Sequence, residues 1–207
     1  MRRIALFSTA LILAVAGCSG ASDDSGDKPE TEQEEGQGNA AVSYEELTEP
    51  YDLAITPPEG FAAVDAARDP LLTEASQTWT FALEGGDPES LLNVTTYYLP
   101  EGTTAADFES QAAMILEYEA PLGNTIEATN IYPAQVHRQP AVHRYFKDAG
   151  GDNGSLFMRN FFMFAGQHVI QLTCQWRKNH AEVTQGCEAL AQDFPFPAGW
   201  PTADPDA

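Results

Sequence analysis

The sequence has few basic residues. Lys and Arg total 10 against 31 Asp and Glu in 207 residues, so the formal net charge is −21. Binding to a nucleic-acid backbone needs a basic face, and this deficit therefore argues against nucleic acid as the main partner. The 3 cysteines are too few for a disulfide-rich scaffold or a four-ligand zinc site. Hydrophobic residues make up 43% of the chain, which is enough for a folded core.

Motifs that mark several enzyme classes are also missing. The sequence contains no G-x-S-x-G elbow, no Walker loop and no G-x-G-x-x-G fingerprint. Its four histidines do not follow the H-x-x-x-H spacing of a helical metal site: His137, His143, His168 and His180. We therefore expect no catalytic residue, no cofactor and no metal ligand, and a non-enzymatic role is the favoured hypothesis.

The N-terminus carries a hydrophobic stretch that follows two basic residues, Arg2 and Arg3. The stretch has the length of a signal-peptide core and is too short for a comfortable membrane span. It ends in V-A-G-C at residues 15–18, which resembles the lipobox of bacterial lipoproteins. The resemblance implies a signal peptide over residues 1–17, cleavage before Cys18, and acylation of Cys18 with lipid chains such as palmitate.

Acyl chains hold such a protein at a membrane. We therefore expect a lipid-anchored protein at the cell membrane or outer membrane, with its domain outside the cytoplasm and membrane lipid as a partner through Cys18. Residues 18–43 are expected to form an acidic, disordered tether, because residues 19–41 hold seven acids, one Lys and little apolar surface to bury. The sequence then predicts a single folded domain over residues 44–200 and a flexible tail over residues 201–207.

Alternating apolar residues predict β-strands along the domain. Turns join neighbouring strands at residues 138–140, residues 150–154 and Gly166, so these strands are expected to pair antiparallel. The run over residues 156–164 is apolar on both faces, as expected for a strand inside the sheet. We expect strands over residues 51–55, 79–83, 91–98, 126–136, 141–146, 156–164 and 168–174.

Two helices are predicted as well. Thr104 and Asp107 have the spacing of a capping box, and an apolar stripe follows until Pro121. A second helix starts at Asn179, with Glu182 as the partner of the cap. Its apolar residues step by four, three and four and so lie on one face: Val183, Cys187, Leu190 and Phe194. The sequence thus predicts an α+β fold in which helices pack on an antiparallel sheet.

The two remaining cysteines are predicted to form a structural disulfide. Cys174 lies at the end of the last strand and Cys187 on the inward stripe of the last helix, which brings their Cα atoms within range of a bridge. Export places the protein in an oxidising compartment, where such bridges persist. A pair of buried thiols is the alternative.

Aromatic residues are dense around the predicted sheet. Adjacent pairs such as Tyr97-Tyr98 and Phe161-Phe162 point to opposite faces of a strand, so one member of each pair needs a cover. The two predicted helices are sufficient to cover one face of the sheet. A partner or a bound apolar ligand is needed if the other face is uncovered, and this distinction separates an ordinary core from a binding groove.

The order of these elements resembles the Mog1/PsbP-like fold. The start, L-A-I-T-P-P-E-G-F over residues 53–61, gives a strand and then a Pro-Glu-Gly-Phe turn. Paired strands, a helix near residues 104–119, a Gln-Pro-Ala turn at residues 139–141 and a closing helix follow, as in the actinobacterial LpqN-type lipoproteins. The resemblance covers residues 48–197. It implies a sheet-and-helix sandwich that acts as a non-catalytic binding or scaffold module for a protein partner or an apolar small molecule.

Two other functions stay open at this level. One is an envelope hydrolase in which His143 or His168 works with nearby carboxylates, and it requires a His within hydrogen-bond reach of Ser, Thr or Asp. The other is a weak metal site that uses His137 and His143 across their hairpin together with a third ligand.

Overall fold

The computed structural model describes residues 47–66, 70–120, 130–148 and 154–201. The signal peptide and the tether predicted up to residue 43, and the tail from residue 202 onward, lie outside the described residues. The described strands and helices are β1 Phe61–Val64, β2 Ser76–Leu83, β3 Leu91–Tyr98, α1 Phe108–Glu119, β4 Ile131–Val136, β5 Gln139–Asp148, β6 Leu156–Ala165, β7 His168–Trp176 and α2 His180–Gln192.

These seven strands form one antiparallel sheet in the order β1-β2-β3-β7-β6-β5-β4. Consecutive strands pair within β1 to β3 and within β4 to β7, which gives two meanders. Helix α1 follows the first meander and precedes the second, and the pairing of β3 with β7 joins them into a single sheet. An α+β fold with helices packed on an antiparallel sheet is therefore confirmed.

One helix lies on each face of the sheet. Leu172 of β7 shares a buried cluster with Val183 of α2. Alternate residues of a strand point the other way, and Val169 of the same strand shares a second cluster with Ile115 of α1. We call these two sides the α2 face and the α1 face. The helices are thus divided between the faces and do not cover one face together.

Helix α2 lies close to the sheet along its apolar stripe. The residues of the predicted stripe are all buried: Val183, Cys187, Leu190 and Phe194. Gly186 also faces the sheet, and a Cβ atom at this position would collide with the ring of Phe61. A larger residue here would force the buried Phe61 ring to move, so glycine lets α2 lie close to this ring.

Asn179 precedes α2 as predicted, but its side chain does not cap the helix. Its side-chain oxygen accepts hydrogen bonds from the Asp87 backbone N–H at 3.1 Å and from the Ser90 hydroxyl at 3.4 Å. The residue thus fastens the start of α2 to the connection between β2 and β3. The predicted capping interaction with Glu182 is wrong.

Helix α1 begins later than predicted. Its N-cap is Asp107, whose carboxylate accepts from the Ser110 backbone N–H at 2.8 Å, while the Ser110 hydroxyl accepts from the Asp107 backbone N–H at 3.2 Å. This complete capping box satisfies two backbone donors reciprocally. Asp107 therefore starts the helix itself and is not the partner of Thr104.

Residues 51–55 keep the predicted alternation of burial but do not form a strand. Tyr51 and Leu53 are buried, and the residues next to them are less so. The Tyr51 carbonyl accepts from the hydroxyl of Thr96 at 2.7 Å. The segment is held against the sheet by a side chain and not by a ladder of backbone bonds, so the predicted first strand is wrong and the sheet starts with β1.

The turn between β4 and β5 lies at His137 and Arg138, one residue before the predicted turn at residues 138–140. Their φ angles of 46° and 65° are both left-handed, as in a type I′ hairpin turn. Pro140 belongs to β5. It is tolerated there because β5 begins to pair with β6 only at Val142, so no partner strand needs its missing N–H.

Two further predictions fall partly outside the described residues. The strand over residues 126–136 is described from Ile131, and the turn over residues 150–154 only at Gly154. The strands predicted near β2, β3, β6 and β7 occur at those places.

A buried ion pair joins α1 to the α1 face. The Arg144 Nε donates to Glu119 Oε2 at 2.9 Å, and the two side chains are 2% and 6% exposed. Arg144 also donates to the Tyr145 carbonyl at 2.8 Å. Burial raises the pKa of Glu119 above its usual value, against the opposing effect of the guanidinium. Each charge therefore depends on the other, because little water reaches either of them.

Replacing Arg144 with Met should destabilise the domain by about 3–5 kcal/mol, because Glu119 is then left as a buried carboxylate without a partner. The double variant Arg144→Met, Glu119→Leu should recover most of this loss, since no buried charge remains. Urea unfolding of the wild type, Arg144→Met, Glu119→Leu and the double variant at neutral pH measures both effects. A loss in the double variant equal to the sum of the single losses would contradict the coupling.

Candidate functional site

Strands β4, β5 and β6 carry half-buried aromatic side chains on the α2 face, beyond the area that α2 covers. Helix α2 packs mainly over β7 and β3, so the three outer strands extend past it. Tyr132 on the edge strand is 46% exposed. We call this site the aromatic surface, and it comprises Tyr132, His143, Tyr145, Lys147, Phe157, Arg159 and Phe161.

The first row of rings runs across β4, β5 and β6. His143 lies between Tyr132 and Phe161, with ring centroids 4.4 and 4.7 Å away. The three residues are cross-strand partners, so the register of the sheet determines these contacts. The Arg159 guanidinium lies 5.6 Å from the centroid of the Phe161 ring, at a distance typical of a cation–π interaction.

The second row lies nearer the other end of the same strands. The Phe157 ring stacks on Trp176 of β7 with centroids 5.8 Å apart, and Tyr145 lies 6.5 Å away on its other side. The Lys147 Nζ is 5.4 Å from the centroid of Phe157. Each row therefore combines neighbouring rings with one cation placed over a ring.

His143 is the buried centre of the first row. It is 1% exposed, and its Nε2 accepts from the Arg159 Nε at 3.4 Å. Its Nδ1 is buried without a hydrogen-bond partner in the described part of the chain. Burial, and then the positive charges of Arg159 and Arg144, lower the pKa of His143 from 6.5 to about 4. The imidazole is therefore neutral near pH 7 and orients Arg159 by accepting from it.

The adjacent aromatic pairs divide between the faces as predicted. Tyr97 and Phe162 lie in the cluster with α1. Tyr98 approaches His168 on the α2 face, at 5.1 Å between ring centroids. Phe161 lies on the α2 face in the aromatic surface, where α2 does not reach. Among the described residues, α2 thus covers this face over β7 and β3, and no helix covers it over the outer strands.

Basic residues concentrate in the part of the sequence that contains the aromatic surface. Six of the 10 Lys and Arg residues lie between residues 138 and 178. Residues 130–147 and 154–181 contain no Asp or Glu, although the chain holds 31. The aromatic surface was not predicted, and this segregation of charge is the signal in the sequence that locates it.

The four histidines do not converge on one site. His137 Nδ1 contacts the Gln192 carbonyl, His168 Nε2 lies 3.1 Å from the Leu47 carbonyl, and His180 is exposed on α2. The hydrogen bonds given above for His137, His143 and His168 lead to two backbone carbonyls and to Arg159. None of these contacts supports the hydrolase hypothesis.

His137 and His143 are not placed to share a metal ion. His137 lies in the turn before β5 and His143 lies four residues beyond Gln139, so roughly 13 Å of strand separates them. Within the described ranges, no three His, Cys, Asp or Glu side chains are grouped closely enough to hold a metal.

Cys174 and Cys187 are joined by a disulfide, as predicted, with their Cα atoms 5.9 Å apart. Cys174 lies on the α2 face of β7 and Cys187 on the buried stripe of α2, so the bond fastens the helix to the central strand. A closed loop of this length contributes about 3 kcal/mol in the chain-entropy model.

The predicted lipid-anchor residue, Cys18, lies outside the described residues. Neither of the described helices is long and apolar enough to span a membrane.

Comparisons with known proteins identify no family for this chain. No family model matches the sequence, and no curated protein matches it. A crystal structure of a protein from Bacteroides thetaiotaomicron VPI-5482 is similar at a TM-score of 0.37 with 11% sequence identity. The match covers 65% of this chain and 41% of that one, so the similar region spans less than half of the other protein.

Lowering the pH from about 7 to about 4.5 should destabilise the wild-type domain more than a His143→Phe variant. The pKa of His143 is depressed to about 4 in the folded state, against about 6.5 in the unfolded chain. The unfolded chain therefore binds an extra proton between these values. Stability linked to His143 is fully present above about pH 6.5 and is lost as the pH falls toward about 4.

Urea unfolding at the two pH values measures this difference. His180→Phe is the matched control, because His180 is exposed on α2, and this variant should retain the wild-type pH dependence. Identical pH dependence in the wild type and in His143→Phe would contradict the buried, neutral state of His143.

Proposed function

We propose that this protein is a lipid-anchored envelope lipoprotein whose domain is a non-catalytic docking module for a protein partner. The observation that carries the docking role is the aromatic surface, in which rings on three strands lie beyond α2 and are flanked by Lys147 and Arg159. Aromatic residues and Arg are enriched where proteins bind proteins. A partly exposed apolar patch that is rimmed by charged groups is typical of an interaction site.

A protein partner fits this surface better than an apolar small molecule. Small molecules bind in concave sites that surround most of the ligand, whereas three neighbouring strands offer an open face. Grooves of about 320, 640 and 250 Å³ are lined by residues 54–59 with α2, by residues 47–52, and by residues 166–168. None of these three grooves includes a residue of the aromatic surface.

The partner is expected to bind to side chains and not to extend the sheet. β4 is the last strand in the order. Residues 136 and 139 flank the two-residue turn and exchange backbone hydrogen bonds with each other. Because hydrogen-bonded and non-hydrogen-bonded pairs alternate along an antiparallel ladder, the backbone N–H and C=O groups of residues 133 and 135 point away from β5. Pro133 has no N–H to offer an added strand, which discourages pairing at this edge.

The fold is proposed to be the Mog1/PsbP-like sandwich that the sequence resembles. Helices on both faces of an antiparallel sheet support this assignment. So does the Pro-Glu-Gly-Phe segment, where the Phe61 N–H donates to the Pro58 carbonyl at 3.0 Å and Gly60 has a φ of 81°. This turn leads directly into β1.

The hydrolase and metal-site hypotheses gain no support from the contacts described above. Neither has a set of side chains that converges in the described ranges, whereas the aromatic surface has seven neighbouring residues on one face. Docking is therefore the function that the geometry favours.

Replacing Cys18 with Ala should release the protein from membranes, because the thiol that carries the acyl chains is removed. In the native host, the wild type should fractionate with membranes and incorporate an alkyne-tagged palmitate. Ser19→Ala, the neighbouring control, should behave as the wild type. Palmitate label that persists on Cys18→Ala would contradict the proposed anchor.

A photo-crosslinking amino acid at Tyr132 should capture one envelope protein in living cells, because Tyr132 is the most exposed ring of the surface. The same amino acid at Glu188, exposed on α2, is the control and should not capture that protein. Once the captured protein is identified and purified, Tyr132→Ala should weaken its binding by about tenfold or more. Equal capture from Glu188, or a small-molecule adduct at Tyr132, would contradict protein docking.

A further inference from the structure

The two cations of the aromatic surface have no anionic partner in the described part of the chain. Ion pairs there are formed by other residues, namely Arg144 with Glu119 and Lys178 with Asp87. In a chain with 31 acids and 10 bases, carboxylates outnumber the cations with which they could pair. Lys147 and Arg159 are therefore available to charges on another molecule.

Arg159 is held in place by its neighbours while the end of its side chain stays available. Its Nε donates to His143 Nε2 at 3.4 Å, and its guanidinium lies 5.6 Å from the centroid of Phe161. The terminal N–H groups have no acceptor among the described residues. A planar guanidinium oriented in this way binds a carboxylate through two parallel hydrogen bonds.

Carboxylates that would compete for these cations are few on the surrounding strands: residues 130–147 and 154–181 lack Asp and Glu, and β4, β5 and β6 contain a single acid, Asp148, the last residue of β5. The remaining acids of the domain lie on other elements, and repulsion from them is screened over about 8 Å at physiological salt. A short anionic segment that lies on β5 and β6 is therefore influenced mainly by Arg159 and Lys147.

We infer that the aromatic surface binds an acidic segment of the partner protein. Carboxylates of this segment pair with Arg159 and Lys147, and its apolar side chains lie on Tyr132, Phe157 and Phe161. The inference rests on the proposed docking function and adds the chemistry by which the partner is recognised. An anionic membrane surface is the competing occupant, but an extended plane also meets the acidic remainder of the domain and is repelled by it.

The test uses the full chain, purified in mild detergent, and a fluorescent peptide of alternating Glu and Phe. A second peptide has Gln in place of every Glu. The Glu peptide should bind about tenfold more tightly than the Gln peptide. Its affinity should fall as salt is raised from about 50 to about 300 mM, since exposed charges are screened.

Charge reversal locates the binding site. Lys147→Glu, Arg159→Glu should weaken binding of the Glu peptide by about tenfold or more. Arg177→Glu, Lys178→Glu changes the net charge by the same amount outside the aromatic surface, and should weaken binding by less than about threefold. Circular dichroism checks that each variant is folded. Should the Glu variant not fold, Lys147→Gln, Arg159→Gln replaces it and should show a smaller loss in the same direction.

Three results would overturn the inference that the surface binds an acidic segment. One is equal affinity for the Glu and Gln peptides, and another is an equal loss in the two charge-reversal variants. The third is binding to phosphatidylglycerol vesicles that depends on Lys147 and Arg159 when the Glu peptide does not bind.

The protein captured from Tyr132 separates this inference from the docking function. If binding of that protein is insensitive to salt and to the double substitution Lys147→Glu, Arg159→Glu, the inference of an acidic segment is overturned and the docking function stands. If no protein is captured but the Glu peptide binds tightly and specifically, the docking function is overturned, while the preference of the surface for acidic chains stands.

Discussion

Strand β7 is the element on which the rest of the fold depends. Every residue from 168 to 176 is buried, and the strand pairs with β3 on one side and β6 on the other. Its α2 face carries Cys174, which is bonded to α2. On its α1 face, Gln171 and Thr173 both donate to Asn160 of β6, at 3.0 and 2.7 Å. Buried polar groups are stable only when they are paired, and a slip of one residue would exchange the two faces. This network therefore favours one register.

Strand β5 transmits that register to the outer part of the sheet. Arg144 points to the α1 face, where it pairs with the buried Glu119, while His143 and Tyr145 point to the aromatic surface. Because neighbours on a strand alternate between faces, fixing Arg144 also fixes the residues on either side. The ion pair that anchors α1 on one face thus determines which side chains of β5 lie on the opposite face.

Local sequence patterns correctly predicted the elements in which buried residues recur at the spacing of a strand or a helix. They failed where the structure depends on backbone pairing between strands or on the geometry of a turn. Strand β3 and the stripe of α2 lie where alternation and helical spacing placed them. Residues 51–55 show the same alternation without a strand, because alternation reports which side is buried and not whether another strand supplies hydrogen bonds. The β4–β5 turn was misplaced because His137 and Arg138 seldom adopt left-handed backbone, whereas Pro140 is a frequent turn residue.

Such local patterns cannot predict the aromatic surface, because its rings come from three strands and are brought together only by the order of the strands in the sheet. Charge distribution indicates the region: residues 130–147 and 154–181 hold six bases and no acid in a chain of net charge −21. Acylation of Cys18, as proposed, attaches a chain through lipid alone, so basic residues are not needed for membrane attachment. Their concentration beside partly exposed rings is consistent with the proposed docking role, in which rings supply apolar contact and cations select the charge of the partner.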